Sequence, residues 1–121
     1  MVQRISALVV TSSRPLRDSL TTLLSSISSI SHVYQASDGV SGLYSVEVQR
    51  PALVVLDASL PGGDAWRLLR QIRTRWPMTS CVVLADTVPT RRRAEAAGAS
   101  CALLKGYPAA KLAVMLEQMV Q

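Results

Sequence analysis

Three charged side chains stand where this chain could do chemistry. Asp57 follows the apolar run Ala52-Leu53-Val54-Val55-Leu56, Asp86 follows Cys81 to Ala85, and Lys105 follows Cys101 to Leu104. Another apolar run, Ile5 to Val10, gives way to the hydroxyls of Thr11 and Ser12. A carboxylate is a usable nucleophile at neutral pH without a general base, and an ammonium offsets negative charge on a group being transferred. An aspartate after one apolar run signifies little alone. The set has meaning only if the runs are strands that end along one edge.

The elements that would position them can be read in order. Five apolar runs alternate with five segments of helical period, the pattern of an α/β chain. After Ile5 to Val10, the stretch Thr11-Ser12-Ser13-Arg14-Pro15 offers a serine cap and a first-turn proline to a helix with Leu16, Leu20, Leu23, Leu24 and Ile27 on one face. His32 to Ala36 reads as a second strand. Asp38-Gly39 then turns into a helix with an apolar stripe of Val40, Leu43 and Val46 or Val48, closed by Pro51. The uninterrupted run ending at Leu56 has the character of a central strand buried on both faces. Leu60-Pro61-Gly62-Gly63 is a tight loop, and Asp64 can cap a helix that carries Trp66, Leu69 and Ile72 and ends at Trp76-Pro77. Cys81 to Ala85 is the fourth strand, Thr90 to Ala97 a short basic helix ending at Gly98, and Cys101 to Leu104 the fifth strand. Pro108 opens a last helix whose Leu112, Met115, Leu116 and Met119 face the core.

Right-handed crossovers make of such a (βα)5 chain a doubly wound three-layer sandwich around a five-stranded parallel sheet, flavodoxin-like in class. Ligands and reactive groups then gather beyond the C-terminal strand ends. Thr11, Ser12, Asp57, Ala85, Asp86 and Lys105 are therefore expected together.

Length and composition bound the rest. The 121 residues accommodate one domain, 1–121, and 49% hydrophobic content excludes a disordered tail. No window approaches the roughly 18 uninterrupted apolar residues of a membrane span, and the residues after Met1 lack the apolar core and cleavage site of a signal peptide. Cys81 and Cys101 are too few for a disulfide framework and have no metal-ligand spacing, so reduced thiols in the cytoplasm are expected. The net charge of +5 admits an acidic protein surface or nucleic acid as partner. Yet Arg67, Arg70, Arg73 and Arg75 recur opposite Leu68, Leu69 and Ile72 as on a solvated helix face, and Arg91-Arg92-Arg93 has no interleaved aromatics for base stacking.

"QASDGVSGL", "ALVVLDASLPGGDAWRLLRQIR" and "AEAAGASCALLKG" together resemble the CheY-like receiver domains of two-component response regulators over nearly the whole chain. The most specific part is Leu56-Asp57 with Leu60-Pro61-Gly62 and Asp64, joined by Lys105 after Gly98-Ala99-Ser100. The resemblance implies that Asp57 accepts a phosphoryl group from a histidine kinase or phosphotransfer protein and that Lys105 pairs with the phosphate. It also implies a Mg²⁺ ion held by the phosphoacceptor and two adjacent carboxylates after the first strand. Thr11 and Ser12, with Ser13 next, stand at those positions. Each missing charge removes on the order of 3 kcal/mol of gross attraction per unit of the cation's charge at about 5 Å and an effective dielectric near 20, so a magnesium site at Asp57 is expected to be weak or absent. Ala85 replaces the Ser or Thr whose hydroxyl reports the phosphoryl group in that family. Thr87 could substitute if the loop slips by two residues, and Asp86 could return one carboxylate. The stretch from Ala85 to Gly98 is about two residues shorter than the family's, and Lys105 is followed by Gly106-Tyr107-Pro108 where the family has proline directly.

Three functions follow. The first is a phosphorelay receiver with Asp57 as phosphoacceptor, atypical in its pocket and acting through a downstream protein or output domain, as a monomer or a homodimer. The second is a phosphorylation-independent pseudo-receiver, an interaction module in which Asp57 is residual. The third is a basic nucleic-acid binder, although nucleic acid would more economically be met through a separate output domain. An enzyme is not expected, for there is no glycine-rich phosphate loop, no nucleophile elbow, and a lone His32. Ending at Gln121, the chain is equally readable as a complete protein or as a domain cut from a longer one.

Overall fold

The computed structural model describes residues 4–120; the remaining terminal residues of the expected 1–121 domain, with the start of the N-terminal segment, lie outside them. Five strands, β1 (Ile5–Val10), β2 (Ile30–Ala36), β3 (Leu53–Asp57), β4 (Ser80–Ala85) and β5 (Cys101–Leu104), form one sheet in the order β2-β1-β3-β4-β5. Every pairing is parallel. The helices are α1 (Arg14–Ser25), α2 (Gly39–Gln49), α3 (Asp64–Arg75), α4 (Val88–Ala96) and α5 (Ala109–Met119), with a 3-10 turn at Pro61–Gly63. This is the doubly wound α/β sandwich expected from the alternation of runs.

Strand alternation separates the core into two layers. Leu8, Val10, Val54, Leu56 and Val83 pack toward α2, α3 and Ala94 of α4. Ala7, Val9, Val55, Val82 and Leu84 pack toward Leu20 and Leu24 of α1 and Leu112 and Leu116 of α5. β3 is buried along its whole length, so its end at Asp57 is also the centre of the sheet's C-terminal edge. The chain runs from β1 outward to β2 and returns to β3 on the other side of β1, which opens the crevice of a doubly wound sheet between the ends of β1 and β3. Cys81 is buried, its thiol pushed up to about 12 by that burial, while Cys101 is half-buried.

Some expected boundaries and faces are corrected. β2 begins at Ile30, two residues before His32, because buried Ile30 pairs with Ile5. α4 begins at Val88 and not at Thr90, since the Thr87 hydroxyl accepts the Thr90 N–H at 3.3 Å and Pro89 needs no partner in the first turn. Asp64 is the first residue of α3, not its cap, and its carboxylate pairs with Arg67. The apolar stripe expected on α2 holds at Leu43 and Val46, which pack on the core with Gly42 beside them, but not at Val40 and Val48, which are 81% and 54% exposed. The reason is Gly42, where a Cβ would lie 3.0 Å from Leu68 and 3.2 Å from Val10. The bare backbone at that position brings α2 down on its Gly42–Val46 side.

Candidate functional site

Each side chain of the site is set by a strand end. Val10 pairs with Leu56, Asp57 with Leu84, and Ala85 with Leu104, so Thr11, Asp57, Asp86 and Lys105 leave the sheet side by side. Thr11 and Asp57 are the buried polar residues among those described, at 0% and 4% exposure. The Thr11 hydroxyl donates to Asp57 Oδ2 at 2.6 Å and accepts the Ser13 N–H at 3.1 Å. Its backbone is fixed as well, the carbonyl accepting from Arg17 at 3.0 Å and the N–H donating to Ala36 at 3.1 Å. Thr11 is thus a buried, oriented donor to the carboxylate.

The other oxygen, Asp57 Oδ1, accepts the Ser59 N–H at 2.8 Å and lies 2.9 Å from Lys105 Nζ. Lys105 Nζ reaches Asp86 Oδ1 at 3.2 Å and donates to the Ser59 hydroxyl at 3.0 Å, which itself donates to Asp86 Oδ2 at 2.5 Å. One ammonium therefore ties a buried carboxylate to an exposed one through a serine. Ser12 lies exposed in the bend after Thr11 and makes no hydrogen bond with this cluster. Ala85 is buried and brings only a methyl group, while its carbonyl accepts the Lys105 N–H at 2.9 Å. Thr87 is occupied as the α4 cap and makes no hydrogen bond to the cluster, whereas Asp86 does reach it, from its exposed side.

Ser59 is the residue the sequence reading missed. The available signal was local: an aspartate at a strand end commonly accepts the backbone N–H two residues on. That turn puts the Ser59 hydroxyl between Lys105 and Asp86.

Burial pushes the Asp57 carboxyl up, but the hydrogen bonds from Thr11, Ser59 and Lys105, with the lysine's charge, outweigh it and hold the group below its ordinary value of 3.8. Burial lowers Lys105 in turn, and Asp57 and Asp86 more than restore it, leaving it above 10.5. A depressed carboxylate contributes stability that is present above its unfolded value and is lost as pH falls through the folded one. A raised lysine contributes stability that is present below its unfolded value and is lost as pH rises through the folded one. Denaturation midpoints measured across pH should therefore fall away at both ends, below about pH 4 and above about pH 10. Asp57→Asn should flatten the acid limb.

A divalent cation of the magnesium type fits these donors poorly. Asp57 supplies the buried carboxylate, and its two oxygens already meet three donors. Asp86 is committed to Lys105 and Ser59, and the positions after β1 offer the engaged Thr11 hydroxyl and exposed Ser12. Among the described residues no three His, Cys, Asp or Glu side chains are grouped to hold a metal. An ammonium and a hydroxyl fill the role that a hard cation needs oxygen anions for.

Comparison with known proteins identifies the family and the fold. The family model described as response regulator receiver domain matches residues 7–117. The transcriptional regulatory protein HprR of Escherichia coli K12 is 36% identical over 77 residues, 63% of this chain and 34% of that protein. A protein-glutamate methylesterase/protein-glutamine glutaminase of Koribacter versatilis is 35% identical over 88 residues, 73% of this chain and 24% of that protein. The chain thus spans about a third or less of these relatives. Among solved structures, the BeF3-activated DrrB receiver domain superposes with a TM-score of 0.86 at 18% identity, covering 98% of each chain, and shares the fold. NtrX from Brucella abortus reaches a TM-score of 0.86 at 27% identity over 98% of this chain and 27% of that one. By the match of the family model over nearly the whole chain, with the fold in agreement, the chain belongs to the response regulator receiver domain family.

Proposed function

We propose that this receiver serves two-component signalling as a protein-contact module whose Asp57 is held as a structural anchor and is not an efficient phosphoryl acceptor. The observation that carries this reading is the bonding of the carboxylate itself. Both oxygens of Asp57 are engaged, by Thr11 on one side and by Ser59 and Lys105 on the other, at 4% exposure. Attack on a phosphoryl group needs a carboxylate lone pair turned toward phosphorus and positive charge around three equatorial oxygens, and three donors already take most of the lone pairs of Asp57. Here Lys105 is the cation at hand, and it is shared with Asp86. Ala85 supports the same reading, because a methyl cannot report a phosphoryl group through a hydrogen bond.

The second reading, a slow phosphoacceptor fed by a histidine kinase or phosphotransfer protein, is favoured by one observation: a carboxylate 2.9 Å from a lysine is a usable acceptor with its phosphate-pairing cation. In both readings residues 1–121 are one receiver domain working in the cytoplasm and acting on a downstream protein or output domain. No described helix is long and apolar enough to cross a membrane.

Intact mass after incubation with acetyl phosphate and excess Mg²⁺ separates the readings. The expected result is no adduct beyond that of Asp57→Asn. A Mg²⁺-dependent phosphoryl adduct that vanishes in Asp57→Asn overturns the anchor reading in favour of the slow acceptor.

A further inference from the structure

We propose that the groove between α3 and α4 is a docking site for an acidic segment of a partner protein, one carrying apolar side chains among its carboxylates. The inference does not rest on the state of Asp57. α3 carries Arg67, Arg70, Arg73 and Arg75 and α4 carries Arg91 to Arg93, against Asp64 and Glu95 as the acids of the two helices. Several of these arginines are engaged. Arg67 pairs with Asp64, Arg75 with Glu47, and Arg73 donates to the carbonyls of Pro77 and Thr79 at 2.8 Å each. Arg70 and Arg93 are exposed and pair with no carboxylate among the described residues.

Those two open into a groove of about 380 Å³ lined by Trp66, Arg70, Arg73, Thr74, Arg93 and Ala97. The Arg93 guanidinium lies 4.1 Å from the centre of the Trp66 ring, so a flexible cation is held against an aromatic face. Arg73 is fixed by its two carbonyl bonds and passes over Gly98, where a Cβ would come within 3.3 Å of its side chain. Oriented guanidinium groups beside an indole and an alanine match carboxylates interspersed with apolar groups, and tryptophan and arginine are the residues that dominate such interfaces. Nucleic acid is the less suitable occupant, because Arg93 already covers a face of the indole on which a base would stack.

The test uses a fluorescein-labelled peptide of alternating Glu and Leu and, beside it, a mixed-sequence DNA duplex, both read by anisotropy against the whole chain. The peptide should bind saturably and weaken with salt, and Arg70→Glu/Arg93→Glu should cut its affinity by about tenfold or more. Arg14→Glu/Lys111→Glu makes the same change in net charge on α1 and α5, and should cost less than about twofold. In a Trp76→Phe background, where Trp66 is the remaining indole, peptide binding should shift the tryptophan emission. The four arginine and lysine positions are exposed, and matched thermal melts confirm that each variant is folded. Absence of peptide binding, an equal loss in the two charge variants, or tighter binding of the duplex than of the peptide each overturns the proposal.

Discussion

Thr11→Asp/Ser12→Asp should give the pocket a magnesium dependence and should unfold more easily without the ion. Thr11 is fully buried and donates to Asp57 at 2.6 Å, so a carboxylate there replaces a donor by a second buried anion. Like charges in such contact cannot both ionise at low cost, and one of them is forced toward the neutral form. The expected cost in chelator is about 2–4 kcal/mol at neutral pH, read from urea denaturation. Added Mg²⁺ should recover it, because each restored charge contributes on the order of 7 kcal/mol of gross attraction to the divalent ion at about 5 Å and an effective dielectric near 20. Ser12 is exposed and outside the hydrogen-bonded cluster, so Ser12→Asp alone should change metal-free stability by less than about 0.5 kcal/mol. A double variant that Mg²⁺ does not stabilise would mean that something other than the missing acids separates this pocket from a metal site.

Lys105→Met is the second large effect. Its ammonium meets Asp57 at 2.9 Å, Ser59 at 3.0 Å and Asp86 at 3.2 Å, and its removal leaves the Asp57 charge buried on two remaining donors. A loss of about 2–4 kcal/mol at neutral pH is expected, nearer the lower figure because Thr11 and Ser59 stay in place. The sign of its pH dependence is specific. Without the lysine, burial is opposed by less, the folded carboxyl rises, and protonating it relieves the variant. The gap from the parent protein should therefore narrow as pH falls through the carboxylate range. Adding Asp57→Asn to Lys105→Met should restore part of the loss, since no unpaired buried charge then remains. A gap that stays constant from neutral to acid pH would contradict the pairing.

Most of the architecture was legible because its signals are redundant. An uninterrupted run ending at Leu56 must be a central strand, and central strands in parallel order bring Asp57 and Lys105 to one edge. Neither side chain had to be found by its own neighbours. α2 was less legible because Val40, Tyr44 and Val48 lie four residues apart and form a second stripe as periodic as the buried one. What selects between the stripes is a glycine's lack of volume against Leu68 and Val10, a tertiary fact that periodicity does not carry.

Within the site, the departures implied by the family resemblance could be read by residue type, but what those residues do needed geometry. Thr11 turns from a missing ligand into a donor only when its hydroxyl is seen on Asp57. Thr87 and Asp86 were both candidates at an uncertain strand end. The Ala58 N–H bonded to the Leu84 carbonyl fixes that end, and α4 capping then takes Thr87 away from the pocket. Ser59 depended on a two-residue turn and had no periodic signal at all.

We propose that three protein donors, in place of a metal ion, hold the two oxygens of Asp57. A Mg²⁺ titration followed by NMR at the Asp57 carboxyl carbon and the Ser59 amide tests it most directly. The bonding described here predicts that both signals stay in place up to about 20 mM Mg²⁺, far beyond the concentrations that fill a built oxygen site. A saturable shift of both signals with a midpoint below about 1 mM would contradict it and restore Asp57 to a metal centre.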